Sequence, residues 1–180
     1  MDKRHDMIVG AMSTFEAQGF RGTGVDAVLA PSGASTRTLY KHFGSRDGLV
    51  QAVLEQRHRD FMEQLGTARS DPVGELFSAL ERWLATHGSY GCMLLRARSE
   101  YAGANEAIVA LVRRQKDDFN RKIACRIRAA IGRDDPELAT QVWLLFEGAT
   151  AAASVADLSV VGIARRAALA LVKAAKVHAP

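Results

Sequence analysis

Between Ser35 and Arg46 the chain reads Ser-Thr-Arg-Thr-Leu-Tyr-Lys-His-Phe-Gly-Ser-Arg. Arg37, Lys41 and Arg46 carry fixed positive charge, His42 can be protonated, five side chains offer a hydroxyl, and no acid interrupts the run. Cations among hydrogen-bond donors, with no carboxylate to repel an anion, are the chemistry that holds phosphate. Ser35 is a good N-cap, so a short helix is expected to start there, with Thr36 and Arg37 in its first turn. Thr38 stands where a capping box would place an acid, and a helix that approaches a polyanion has reason to omit one. A solvated, charged helix is the competing reading. The flanking residues separate the two.

Upstream, Met7, Ile8, Ala11, Met12 and Phe15 share one face of a helix over residues 3–18. Gly19 can end it in the left-handed conformation, with Phe20 folding back onto its last turn. Thr23 followed by Asp26 has the spacing of a capping box for a short second helix with Val25, Val28 and Leu29 inward. That helix must stop near Pro31, which lacks an N–H and disfavours helical geometry at Ala30. Pro31-Ser32-Gly33-Ala34 is then a tight turn into Ser35. A short helix, a turn containing Gly and a second short helix make a helix-turn-helix.

Downstream the apolar spacing is helical throughout. Ser45 caps a fourth helix with Leu49, Val50, Val53, Leu54, Phe61 and Leu65 on one stripe. Gly66–Ser70 is a loop, and Asp71-Pro72 and Asp135-Pro136 are each a cap followed by proline at a helix start. A sixth helix spans Cys92–Ala102. A seventh runs from Glu106 to Ile131, its outer face basic through Arg113, Arg114, Lys116, Arg121, Lys122, Arg126 and Arg128, read first as a solvated face. The last two helices are apolar nearly all round, and alanine-rich at the end. Two such helices at the end of a chain of 180 residues need a partner, which points to a two-fold four-helix interface between chains. An intramolecular hairpin is the alternative. The expected fold is all-α with about nine helices, divided into a helix-turn-helix domain over residues 1–46 and a helical dimerisation domain over 47–180.

Composition agrees. With 48% hydrophobic residues a globular core is available, and the formal net charge of +4 is compatible with nucleic acid without requiring it. No apolar run approaches the roughly 20 residues that span a bilayer. The first residues lead into a segment broken by Glu16 and Gln18, so no signal peptide is expected and the protein is expected to be cytoplasmic. Cys92 and Cys125 have no metal spacing. His5, His42, His58, His87 and His178 are scattered, and neither paired carboxylates nor a phosphate-cradling glycine loop occurs. Hence no enzyme, no metal and no cofactor is expected.

The run Gly19-Phe20-Arg21-Gly22-Thr23-Gly24-Val25-Asp26-Ala27-Val28, with Gly33-Ala34-Ser35, Thr38-Leu39-Tyr40-Lys41-His42-Phe43 and Ser45-Arg46-Asp47-Gly48-Leu49, resembles the DNA-binding region of TetR-type (tetracycline-repressor-like) transcriptional regulators. The close match covers residues 4–55. The resemblance implies a homodimeric, ligand-responsive regulator, most often a repressor, on a pseudo-palindromic DNA operator. It implies backbone contacts from Thr38, Tyr40, Lys41, His42 and Arg46, and from the helix start at Thr23. Leu39 and Phe43 are core. The chain departs from the pattern at Pro31, Ser32 and Ala34, and in the order of Thr36 and Arg37. Arg37, with Thr36 beside it, is therefore the candidate for reading a base, because arginine can take guanine O6 and N7 together. The rival to this regulator is a helical protein-interaction module without specific DNA binding.

The resemblance also implies a small-molecule pocket in the second domain. Phe77, Trp83, His87, Met93, Phe119, Trp143 and Phe146 are the large side chains available for it, each also explicable as core. Glu147, an acid in an apolar helix, needs a partner, for which a cationic effector is one candidate. Cys92 at a helix start is a candidate redox sensor or an inert buried thiol.

Overall fold

The computed structural model describes residues 2–67 and 70–177. Ala68 and Arg69, in the loop expected at Gly66–Ser70, and His178 lie outside the described residues. Among those described the fold is all-α, with nine α-helices: α1 (Lys3–Gln18), α2 (Val25–Leu29), α3 (Thr36–Phe43), α4 (Arg46–Leu65), α5 (Gly74–His87), α6 (Met93–Tyr101), α7 (Glu106–Ile131), α8 (Pro136–Ala152) and α9 (Ser159–Val177). A 3₁₀ turn over Ala30–Ser32 follows α2 directly. No helix among the described residues is long and apolar enough to cross a membrane.

The chain forms two compact units. The first takes Met1–Asp60 and Met93–Gln115, the second Phe61–Cys92 and Lys116–Pro180. The border expected after Arg46 falls inside the first unit, which also holds α6 and the start of α7.

In the first unit α1 buries Met7, Ile8, Ala11 and Phe15, ends at Gly19 (φ 81°), and turns so that Phe20 stacks at 4.9 Å on Phe15. Phe15 and Phe20 are both fully buried, each worth about 1.5–3 kcal/mol relative to exposure. Gly10 lies against the turn after α2, where a Cβ would meet that of Pro31 at 3.0 Å. Pro31 stops α2 at Leu29 without breaking the chain direction, because its fixed φ suits the 3₁₀ turn. Gly33 then takes the left-handed conformation (φ 59°) that aims the chain into Ser35. Ser35 caps α3 through its hydroxyl, 3.2 Å from Thr38 N, and Ser45 caps α4 through Gly48 N at 2.9 Å. These two caps are the ones expected from sequence, and two other expectations differ. Helix α5 starts at Gly74 with Val73 as its N-cap, so Pro72 lies in the turn before it, where Asp71 accepts from Gly74 N at 2.9 Å. The N-cap of α2 is Gly24, and the Thr23 hydroxyl donates backward to Gly19 O at 2.8 Å.

In the second unit Phe61 stands among aromatic rings, 5.2 Å from Trp83, 5.9 Å from Phe119 and 6.0 Å from Phe146. Around them pack Leu76, Leu80, Ile123, Ile127, Val142, Val161 and Ala168 from α5, α7, α8 and α9. Asp135 caps α8 through Leu138 N at 2.9 Å, as the Asp-Pro pair suggests.

Two members of the expected basic face of α7 turn inward instead. Arg126 is 2% exposed and its guanidinium donates to Leu65 O at 2.6 Å, Gly66 O at 3.0 Å and Glu75 Oε2 at 3.2 Å. It thereby caps the carbonyl end of α4, which is what lets a cation lie on the same stripe as Phe119 and Ile123. Lys116 pairs with Glu147 and sits 3.3 Å from Cys92 Sγ. Of the others, Arg121 pairs with Asp118, and Arg128 with Asp134, on the surface.

Candidate nucleic-acid interface

Helix α3 buries Leu39 and presents the rest of its residues outward to differing degrees. Thr36, Arg37, Tyr40 and Lys41 are exposed, Tyr40 at 57%, a high figure for an aromatic ring. No acid lies in its first turn, and Lys41 and His42 stand in its last. Thr38 and His42 are half-buried. The Thr38 hydroxyl shares a 2.9 Å hydrogen bond with Ser35, and the His42 ring lies 6.2 Å from that of Phe43. The face at Arg37, Tyr40 and Lys41 is thus cationic, hydroxyl-bearing and open.

The remaining two expected contacts are placed differently. Thr23 is 5% exposed with its hydroxyl committed to Gly19 O, so the side chain offers nothing outward. Arg46 points into the unit. Its guanidinium donates to Phe20 O, to Thr23 O at 2.9 Å and to the Tyr101 hydroxyl at 3.1 Å, and lies 5.5 Å from the centre of the Phe15 ring. The carbonyls it meets line the α1–α2 loop, whose amides are held from the other side. Glu100 of α6 accepts from Phe20 N at 3.0 Å and Arg21 N at 2.6 Å. Arg96 donates to Phe15 O at 3.3 Å and Glu16 O at 2.9 Å, and Arg57 pairs at 2.9 Å with Glu16, which is 7% exposed. Asn105 donates to Asp47 at 2.8 Å. Burial first, and the nearby Asp47 carboxylate second, hold the Tyr101 phenol above its usual pKa. Sequence spacing marked none of these α6 residues, because their partners are 55 to 81 positions away; a charged residue on every turn of a short helix was the only local sign.

In the second unit Phe77, Trp83, Phe119 and Phe146 are buried core. His87 stacks on Trp83 at 3.8 Å and faces the Trp83 carbonyl at 3.1 Å. Met93 belongs to the other unit. Glu147 has Lys116 as its cation and accepts the Trp143 indole N–H at 3.2 Å, while its Oε2 is buried and accepts nothing from a described residue. A cavity of about 180 Å³ lies beside Trp143, lined also by Asn120, Ala139 and Thr140. A larger groove, about 400 Å³, holds none of the expected pocket residues and runs past Lys173 and Lys176. Among the described residues no group of three or more His, Cys, Asp or Glu could hold a metal ion, and Cys92 and Cys125 are free thiols.

A helix-turn-helix with a capped, acid-free second helix, carried by an all-helical chain with a second helical unit, defines a DNA-binding transcriptional regulator. Residues 7–53 match the family model described as bacterial regulatory proteins, tetR family. The chain thus carries the DNA-binding region of the TetR family of transcriptional regulators, a non-enzymatic family. It is similar to a TetR-family transcriptional regulator from Streptomyces coelicolor, at 22% identity over 97% of this chain and 96% of that one, with a TM-score of 0.83. A Streptomyces avermitilis protein assigned to the same regulators is 25% identical over 97% and 98% of the two chains, at a TM-score of 0.80. A TetR transcription regulator from Haloarcula marismortui has the same fold, with 18% identity, 96% and 97% coverage and a TM-score of 0.80. No curated protein matches the chain.

Proposed function

We propose that the protein is a cytoplasmic homodimeric repressor, released from a pseudo-palindromic operator by a small molecule. The observation that carries this reading is an apolar, small-residue surface left open on its last two helices. Leu144, Gly148 and Ala151 are exposed along α8, and Ile163, Ala167 and Ala170 along α9, with Leu144 at 58% and Ile163 at 56%. The residues of each set fall three or four apart, so each makes one stripe. Two stripes from each of two chains make the four-helix interface that a two-fold dimer needs. To enter successive major grooves, the two copies of α3 in such a dimer must stand roughly 34–36 Å apart, one helical turn of DNA. Thr38, Tyr40, Lys41 and His42 then hold phosphates, and Arg37 with Thr36 faces base edges.

The effector binds the second unit near Trp143 and Glu147. Two buried acceptors support that placement: Glu147 Oε2, and Asn120 Oδ1 on the wall of the cavity beside Trp143, neither with a donor among the described residues. A ligand carrying N–H or O–H groups satisfies both. Its effect on DNA equals its difference in affinity between the DNA-competent and released states.

The test joins assembly to DNA binding. A duplex taken from the DNA flanking the protein's own coding region is titrated at two salt concentrations, with sedimentation in parallel. Leu144→Arg combined with Ile163→Arg is expected to give a folded monomer and to lose sequence-selective binding. A variant that stays dimeric, or a monomer that binds as selectively as the wild type, refutes the reading.

A further inference from the structure

We propose that Arg4, in the first turn of α1, is a phosphate contact flanking the recognition helix, in the role that the family resemblance implies for Arg46. The two arginines are in opposite situations. The Arg46 guanidinium is taken up by Phe20 O, Thr23 O and the Tyr101 hydroxyl. Arg4 is exposed, and its guanidinium makes no hydrogen bond or ion pair with a described residue. It is held instead by its face, 5.2 Å from the centre of the Phe43 ring. Stacking fixes the plane of a guanidinium while leaving its N–H edges free, and those edges match the paired oxygens of a phosphate.

Placement supports the role. Phe43 is the last residue of α3 and lies three positions from Tyr40, on the adjoining side of the helix. Lys3 donates to Ser32 O at 2.7 Å, in the turn that leads into α3. The first turn of α1 is therefore tied at two points, before the recognition helix and at its end. An α-helix with side chains is about 10–12 Å across and the major groove about 12 Å wide, so groups on the flank of a docked α3 meet the phosphate walls. The acids of this turn do not neutralise Arg4: Asp2 accepts from Arg4 N as the helix cap, and Asp6, two residues on, is half-buried and at a spacing whose side chains do not face each other. The matched family segment begins only at residue 7, so Arg4 lies outside it.

The proposal rests on DNA binding itself, which the wild type reports separately in the same experiment. Affinity for the coding-region duplex and for a random-sequence duplex is measured across a salt series, with thermal unfolding of each variant. Arg4→Ala is expected to weaken binding to both duplexes by on the order of fivefold to tenfold at 0.1 M salt, and to flatten the logarithmic salt slope by about 0.9 per chain. Arg4→Gln, which still covers Phe43, is expected to do the same at wild-type melting temperature. Arg46→Gln is expected to lower the melting temperature and leave the slope as it was. An unchanged slope in both Arg4 variants, with or without a loss of affinity, overturns the proposal, since a residue that only packs on Phe43 releases no counterion.

Discussion

The Glu100 carboxylate accepts the backbone N–H of Arg21 at 2.6 Å, so a residue of α6 governs the loop that joins the first two helices. The same carboxylate takes the N–H of Phe20, and Gly19 leaves room for it, since a Cβ there would come within 3.0 Å of Glu100 Oε1. Hydrogen bonds to a charged partner are worth about 1.5–3 kcal/mol each. Glu100→Ala is expected to destabilise the protein by about 2–3 kcal/mol in urea unfolding, and Glu100→Gln by less, because the amide oxygen still accepts. Equal stability of all three proteins would show the contact to be idle.

Tyr101 gives the fold an alkaline limit. Its phenol is held above the usual value of about 10 by burial and then by Asp47. The folded state therefore binds this proton more tightly than the unfolded chain does. This contribution to stability is complete below about pH 10, and is lost as pH rises past the unfolded value and through the raised folded one. Tyr101→Phe is expected to flatten the fall in unfolding free energy above pH 10. A difference titration of phenolate absorbance, wild type minus variant, is expected to show a midpoint above 10.

Arg126 ties the carbonyl end of α4 to α7 from inside the second unit. Arg126→Met keeps most of the volume but leaves the Leu65 and Gly66 carbonyls without their donor, at about 1–3 kcal/mol per group that stays dry. A loss of about 2–4 kcal/mol in chemical unfolding is expected. A neutral Arg126→Met would mean that water reaches those carbonyls.

Arg37 is exposed at the start of the recognition helix with no hydrogen bond to a described residue. Arg37→Ala is expected to relax preference at one base pair of each half-site by about 1–3 kcal/mol. Affinities for a set of single-base operator variants measure this. A uniform loss on every sequence, with a shallower salt slope, would instead make Arg37 a phosphate contact.

Much of the helical frame was legible because its signals are local. Ser35, Ser45 and Asp135 each cap the helix that follows, Gly19 ends α1, and the spacing of Met7, Ile8, Ala11 and Phe15 marks a buried stripe. What escaped were long polar side chains whose partners are distant in sequence. Arg46, Lys116 and Arg126 look like surface cations when only neighbours are read, yet carbonyls or a carboxylate from other segments draw them inward. Thr23 is the local failure. A hydroxyl before a helix can cap forward or bond the preceding turn, and here Gly19 O, four residues back, wins. The pocket was least legible, since an aromatic ring that lines a ligand site and one that fills a core follow the same spacing. Phe61, at the centre of the aromatic contacts, looked like one more member of the α4 stripe.

The first unit is assembled from two separate stretches of chain, and the second stretch, Met93–Gln115, supplies Arg96, Glu100, Tyr101 and Asn105. The DNA-reading head is consequently not a portable module. A hybrid made by splicing residues 1–60 onto a foreign effector domain would inherit the recognition helix but not the carboxylate and guanidinium that hold its first loop. For this chain, moving the head intact means carrying α6 along with it.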